Sequence, residues 1–205
     1  MDPDASRTAR TDAARTDADR AADRARLLEL IGELAVVRGK VTLSSGAEAD
    51  YYIDLRRITL HHEAAPLVGR VMLDLLADAG VLGDVAAVGG LTLGADPVAA
   101  AILHASAADA SAPDLDAFVV RKANKAHGLQ RRIEGPDTEG RPVVAVEDTS
   151  TTGGSVLEAC EALAAEGAVI RAVAVIMDRG TGARDVIEKA GYRYLAAFGS
   201  HELGL

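Results

Sequence analysis

Residues Val143–Ser155 read VVAVEDTSTTGGS. An apolar run ends in two adjacent acids, Glu147 and Asp148, and passes at once into Thr149, Ser150, Thr151, Thr152, Gly153, Gly154 and Ser155. Adjacent carboxylates repel each other, so they call for a partner, either a metal ion or vicinal hydroxyls. The seven residues after the acids offer little but hydroxyl groups and unobstructed backbone. A helix starting near Ser155 would offer unpaired N–H groups and a partial positive charge, which suit a phosphate. The pattern fits a ribose held by two acids with its 5′-phosphate in the loop. The plainer alternative, an Asx turn with a helix cap, needs one Ser, and this loop carries many more donors. A Walker loop is excluded, because the Lys before Ser/Thr is missing.

A second stretch, RKANKAHG, places Arg121, Lys122, Lys125 and His127 directly after the apolar run LDAFVV. The next residues, LQRRIEGPDTEG, are polar and broken by glycine. Together they predict a loop of about twenty residues, a length that is usually functional inside a compact domain. A mobile basic loop can close over a diphosphate and balance charge as it leaves. Taken alone, the stretch also reads as a solvated surface loop.

The elements that must position these residues are legible from periodicity. Apolar strands (VAAVGG, LDAFVV, VVAVE, IRAVAVIMD, YRYLAAF) alternate with helical patterns (DPVAAAILHASA, GGSVLEACEALAAEG, ARDVIEKAG). Strands that are apolar throughout imply a parallel sheet covered on both faces. Ligands bind such sheets at the carboxyl ends of the strands, where this sequence puts its glycines and charges. Upstream, Leu27, Leu28, Ile31, Leu34 and Ala35 recur at helical spacing, with Gly39 as the expected stop. The segment KVTLSSGAEADYYIDLRRITL reads as a hairpin or hood around a Ser-Ser-Gly turn, and His62 to Ala79 as a helix closed by Gly80.

Composition narrows the function class. The 205 residues are 49% hydrophobic but only 3% aromatic, so Ala, Val and Leu must fill the core. A net charge of −9 argues against a sequence-blind nucleic-acid binder. A single cysteine, Cys160, excludes an intrachain disulfide and fits a reducing compartment; it falls on a helical pattern and reads as packing. His61, His62, His104 and His201 have no metal-ligand spacing with it. No apolar run could span a bilayer and the N-terminus has no apolar signal region, so a cytoplasmic protein without membrane contact is expected. Residues 1–26 lack Leu, Ile, Val and Phe and hold six acids and six bases. Residues 1–16 are expected to form a disordered tail before a single domain, 17–205.

VVAVEDTSTTGGS resembles the phosphoribosyl pyrophosphate (PRPP) signature of the type I phosphoribosyltransferases. Arg-Lys-x-x-Lys-x-His-Gly resembles the catalytic loop of the orotate phosphoribosyltransferases. TLSSGAEADYYIDLRRI, VGGLTLGADPVAAAI and MDRGTGA are similar to their hood, pyrophosphate loop and orotate-binding segment. The resemblance covers nearly everything from about Arg26 onward. It implies an α/β fold in which a central, mostly parallel β-sheet is flanked by helices. It adds a small N-terminal hood (about 17–60, plus the C-terminal strand region) and a long flexible active-site loop.

By the same resemblance, Arg121, Lys122, Lys125 and His127 contact the pyrophosphate of PRPP, and Thr151, Arg179, Tyr52 and Ile53 contact orotate. The catalytic set is Lys125, Arg121, His127 and Asp148. The implied cofactor is Mg²⁺, held mainly by the diphosphate of PRPP rather than by a protein site. The implied assembly is a homodimer whose active sites are shared across the interface. An arginine at Arg179 makes independent sense, because a guanidinium binds a carboxylate through paired hydrogen bonds. The competing role for Arg179 is an ion pair with Asp178 or Asp185. Two positions depart from the family: Ser44 and Leu93 stand where many members carry Lys. Lys40 or Arg56 is the candidate for compensating charge. The expected reaction joins orotate and PRPP to give orotidine 5′-monophosphate and pyrophosphate. The rival functions are phosphoribosyl transfer to another base and a non-enzymatic regulator of this fold that binds nucleic acid.

Overall fold

A computed structural model describes residues 15–42, 48–122 and 132–205. The chain opens with helix α1 (Asp17–Leu30), capped by a reciprocal pair: the Asp19 N–H donates to Thr16 Oγ1 at 3.2 Å and the Thr16 N–H to Asp19 Oδ2 at 2.9 Å. Arg15 reaches Asp23 at 2.7 Å and Asp74 at 3.0 Å, and Arg70 grips Asp23 through two bonds. Arg15 and Thr16, assigned to the tail on composition, thus belong to the folded unit; residues 1–14 lie outside the described residues. The charges that make this region read as solvated dock α1 onto α3.

A single π-turn, Ile31–Ala35, ends that helix, and strand β1 (Val36–Thr42) comes next. Gly39 therefore does not stop a helix; it lies within β1 at φ +132°, where the register with β2 (Glu48–Ile53) shifts between Arg38 and Val41. The antiparallel β1–β2 pair is the expected hairpin, with its turn outside the described residues. Short helix α2 (Arg56–Thr59) replaces the β character expected of RRITL. Helix α3 (Ala64–Asp78) is next, and Gly80 closes it at φ +66°.

The remaining elements are β3 (Ala87–Leu91), α4 (Ala95–Ala108), β4 (Asp116–Val120), β5 (Ile133–Glu134), β6 (Pro142–Ser150), α5 (Gly154–Ala165), β7 (Val169–Asp178), α6 (Ala183–Lys189) and β8 (Tyr194–Gly199). They form a six-stranded sheet ordered β5-β4-β3-β6-β7-β8, parallel except for β5. Side chains alternate faces along each strand. Val144, Val146, Ala172, Ala174 and Ile176 pack against α1, α3 and α4, while Val143, Ala145, Val173 and Val175 pack against α5 and α6. This two-sided burial is why the strands read as unbroken apolar runs. Among the described residues, no helix is long and apolar enough to cross a membrane.

Strand β5 has no counterpart among the expected elements. It pairs antiparallel with β4, Val119 opposite Glu134 and Val120 opposite Ile133, and shortens the loop read as about twenty residues to the span between Arg121 and Arg132. Arg121 and Arg132 clasp its base: the Arg121 N–H donates to the Arg132 carbonyl at 2.9 Å, and Arg132 Nε donates to the Arg121 carbonyl at 3.0 Å.

Candidate active site

The chain leaves β3 for β4 on one side, and β6 then lies on the other side, leading away through β7 to β8. The seam between β3 and β6 is the switch point where connections diverge and a crevice opens at the strands' carboxyl ends. Two loops face each other across it. One is Thr92-Leu93-Gly94, joining β3 to α4, with a cis Thr92–Leu93 peptide. The other is the end of β6 with the turn into α5.

Glu147 and Asp148 sit inside the last residues of β6 rather than beyond it, because the strand continues to Ser150 through pairing with β7. Glu147 is 8% exposed. Burial, then the charge of Asp148, pushes its carboxyl well above the usual range. Burial also raises Asp148, and Arg56 opposes that rise. Glu147 Oε1 accepts from the Asp148 N–H at 3.1 Å, and Asp148 Oδ1 accepts from the Thr149 N–H at 2.5 Å. A Cβ at Gly94 would collide with the Glu147 carboxylate and come within 3.1 Å of Asp148 Oδ1. Any side chain at position 94 would have to displace the Glu147 carboxylate, so glycine suits this close approach. Thr92 Oγ1 donates to Asp96 Oδ2 at 2.7 Å and ties that loop to the first turn of α4.

Gly153 turns the β6–α5 connection at φ +79°, beside Ile187, and no side chain caps α5. The first-turn N–H groups of this 12-residue helix therefore lack a side-chain cap. That disfavours the helix-cap reading and suits an anion. Thr152, Gly154 and Ser155 are exposed, and Thr149 and Thr151 are half-buried. Ser150 instead lies in the floor, 3% exposed.

Arg179 is braced to the same loop. Its N–H donates to the Ser150 carbonyl at 3.1 Å, and Ser200 Oγ donates to its carbonyl at 3.2 Å. Thr181 Oγ1 donates to the Thr151 carbonyl at 2.5 Å. The guanidinium forms no ion pair with Asp178 or Asp185 among the described residues; Asp178 Oδ1 instead accepts from the Gly180 N–H at 2.9 Å. The Arg179 Cζ lies 5.2 Å from the centre of the Tyr51 ring.

The expected site residues thus divide. Glu147, Asp148 and the loop Thr149–Ser155 share the end of β6 and the turn into α5, and the Arg179 main chain is bonded to that loop at Ser150. Arg121 stands at the loop base, paired with Glu134 at 3.3 Å, and Lys122 is its neighbour in the chain. Lys125 and His127 lie outside the described residues, as does Ser44. Ile53 is 3% exposed and belongs to the core, so its side chain is not placed to line a base pocket; on β2 it is Tyr51 that reaches Arg179. Leu93 is 71% exposed. Sequence reasoning did not single out Gly94, Asp96 or Tyr51. Gly94 had a signal in its place within a glycine-rich turn, whereas Tyr51 had none until the strand register was known.

A family model described as "Phosphoribosyl transferase domain" matches residues 87–194. The chain is 64% identical over 183 residues to the orotate phosphoribosyltransferase of Streptomyces coelicolor, spanning 89% of this chain and 97% of that one. The chain belongs to the orotate phosphoribosyltransferase family. The orotate phosphoribosyltransferase of Mycobacterium tuberculosis H37Rv, solved in complex with 5-phospho-α-D-ribosyl 1-diphosphate, is similar at 51% identity and a TM-score of 0.75, covering 89% of this chain and 99% of that one. The adenine phosphoribosyltransferase of Saccharomyces cerevisiae shares the fold at 18% identity, with a TM-score of 0.63, covering 86% of this chain and 99% of that one.

Proposed function

We propose that the protein transfers the 5-phosphoribosyl group from PRPP to orotate, the phosphoribosyl-transfer step of de novo UMP synthesis. The observation that carries this reading is the Glu147–Asp148 pair beside an α5 N-terminus without a side-chain cap at the β3–β6 switch point, with Arg179 bonded through its main chain to the same loop. A bond forms between the pyrimidine N1 and ribose C1, and the C1–oxygen bond to pyrophosphate breaks. The bonding electrons leave with pyrophosphate, and the N1 proton is released. Glu147 and Asp148 accept hydrogen bonds from the ribose hydroxyls. The backbone of the Thr149–Ser155 loop and the hydroxyls of Thr149, Thr151, Thr152 and Ser155 hold the 5′-phosphate, with the Ser150 side chain in the floor beneath. Arg179 pairs with the orotate carboxylate, with Thr151 beside it. Arg121, Lys122, Lys125 and His127 neutralise the departing pyrophosphate.

The donors at the crevice are carboxylate and hydroxyl oxygens, which suit a hard cation such as Mg²⁺. The cation is proposed to ride mainly on the substrate diphosphate rather than on a protein site, as in the family this chain resembles. When bound, that cation offsets the charge of the leaving group. Chelation with EDTA is expected to abolish orotate consumption, and added Mg²⁺ to restore it. Lys125→Ala is expected to lower kcat by about 10²-fold while leaving KM for orotate within about twofold, because the lost charge acts on the leaving group. A Lys125→Ala enzyme with unchanged kcat would remove the loop from the mechanism.

A homodimer with active sites shared across its interface is proposed on the family resemblance, and the surface offers an apolar face for it. An apolar groove of about 720 Å³ runs across α2, α3 and α4, lined by Leu60, Ala65, Pro66, Leu73 and Ala101. Leu60 is 74% exposed. Light scattering is expected to give twice the 21.2 kDa chain mass, and Leu60→Asp to shift the protein toward monomer. A monomer at all concentrations would refute the dimer. A cytoplasmic location fits the single free cysteine, Cys160, whose burial pushes its thiol up to about 12 and keeps it unreactive.

A further inference from the structure

We infer that Tyr51 positions Arg179 and so tunes selection of a carboxylated base, a role resting on the proposal that Arg179 binds orotate. Three observations meet here. The Arg179 Cζ lies over the Tyr51 ring, 5.2 Å from its centre. Arg179 Nε is buried and has no hydrogen-bond partner among the described residues. Its main chain is fixed at both ends, by Ser150 and Ser200. A guanidinium on a fixed backbone with no ion pair still has several rotamers open to it. The face of an aromatic ring removes that freedom, because the positive guanidinium is drawn to the ring's negative face. The guanidinium makes no hydrogen bond among the described residues while it contacts the ring, so its terminal N–H groups remain available for the paired bonds a carboxylate accepts. Holding the group in place beforehand lowers the entropy lost when the anion binds.

Tyr51 is itself held. It is half-buried, packs against the core on the side of α1, α3 and α4, and lies opposite Arg38 across the hairpin. Ile53, two residues on and on the same strand face, is anchored in that core. The contact therefore makes the hairpin a support for recognition at the end of β7. Tyr51 touches neither reacting atom, so its effect falls on orotate binding rather than on the chemical step.

The test compares Tyr51→Phe and Tyr51→Leu with the wild type in steady-state assays that vary orotate and PRPP separately. Tyr51→Phe keeps the ring and is expected to stay within about twofold of wild type in all constants. Tyr51→Leu is expected to raise KM for orotate about 3- to 30-fold, the range of a cation–π contact, with KM for PRPP and kcat within about twofold. In an Arg179→Lys background, whose compact ammonium does not stack in the same way, the Leu substitution is expected to add less than about twofold. Tyr51→Met fills the same space without a ring and replaces Leu if that variant is unstable. Equal losses for both substrates, or an undiminished effect in the Arg179→Lys background, would overturn the positioning role. A wild-type protein that turns over PRPP with another base and ignores orotate would overturn the reading of Arg179 and this inference with it. Orotate turnover that Tyr51→Leu leaves unchanged would overturn this inference alone.

Discussion

Replacing Arg179 with Ala is expected to raise KM for orotate by about 10²-fold or more and to leave KM for PRPP within a few-fold. The magnitude comes from losing two charge-assisted hydrogen bonds to one carboxylate, at about 1.5–3 kcal/mol each and partly offset by water. The selectivity comes from geometry. The main chain of Arg179 is tied to Ser150 and Ser200 by its own N–H and carbonyl, which any side chain keeps. The phosphate loop should therefore survive the substitution. Uracil, which lacks the carboxylate, should lose little when the guanidinium is removed, so the preference for orotate over uracil should collapse. Steady-state kinetics with both bases check this. A variant that loses PRPP affinity as strongly as orotate affinity would show that Arg179 serves the loop and not the base.

Glu147→Gln is expected to move activity and stability in opposite directions. The carboxyl of Glu147 is pushed up by burial and by Asp148 beside it. A carboxyl raised in the folded state binds protons there more tightly than in the unfolded chain. Its contribution to stability is then full below the ordinary carboxylate range and is lost as pH rises from that range toward the raised value. The ligand-free protein should accordingly lose stability on this account between about pH 5 and about pH 8. A neutral amide of the same shape removes the cost. Glu147→Gln should melt higher than wild type near pH 8, by about 2–4 °C for each kcal/mol recovered, with the difference fading near pH 5. The same change removes an acceptor from the ribose hydroxyls, and kcat/KM should fall by about 10²-fold or more. Melting curves at the two pH values, with and without PRPP, check both halves. A variant less stable than wild type at high pH would show that the Glu147 charge is compensated in the folded protein.

Some of these groups are plain in the chain and others are concealed by it. The central strands are legible because their burial is two-sided: Val143 and Ala145 face α5 while Val144 and Val146 face the other helix layer, so both parities are apolar. The carboxylate pair and the hydroxyl-rich turn are legible because few other structures use that composition. The end of β6 is not. Thr149 and Ser150 look like loop residues, yet pairing with Met177 and Asp178 keeps them in the strand. Strand β5 is two residues long and exists only through its partner β4. The docking of α1 is hidden because Arg15, Asp23, Arg70 and Asp74 read as solvated charges until they are seen paired across two helices. The facing of β2 is hidden for a simpler reason: a shift of one residue reverses every side chain. Tyr51 and Ile53 share one face, and Tyr52 has the other.

The measurement that bears most directly on the central claim is base selectivity of the purified protein with PRPP and Mg²⁺, using orotate, uracil, adenine and xanthine in parallel. The account predicts loss of orotate with formation of orotidine 5′-monophosphate and pyrophosphate in equal amounts, and no comparable turnover of the other three. Efficient turnover of a base without a carboxylate, with orotate left intact, would contradict it.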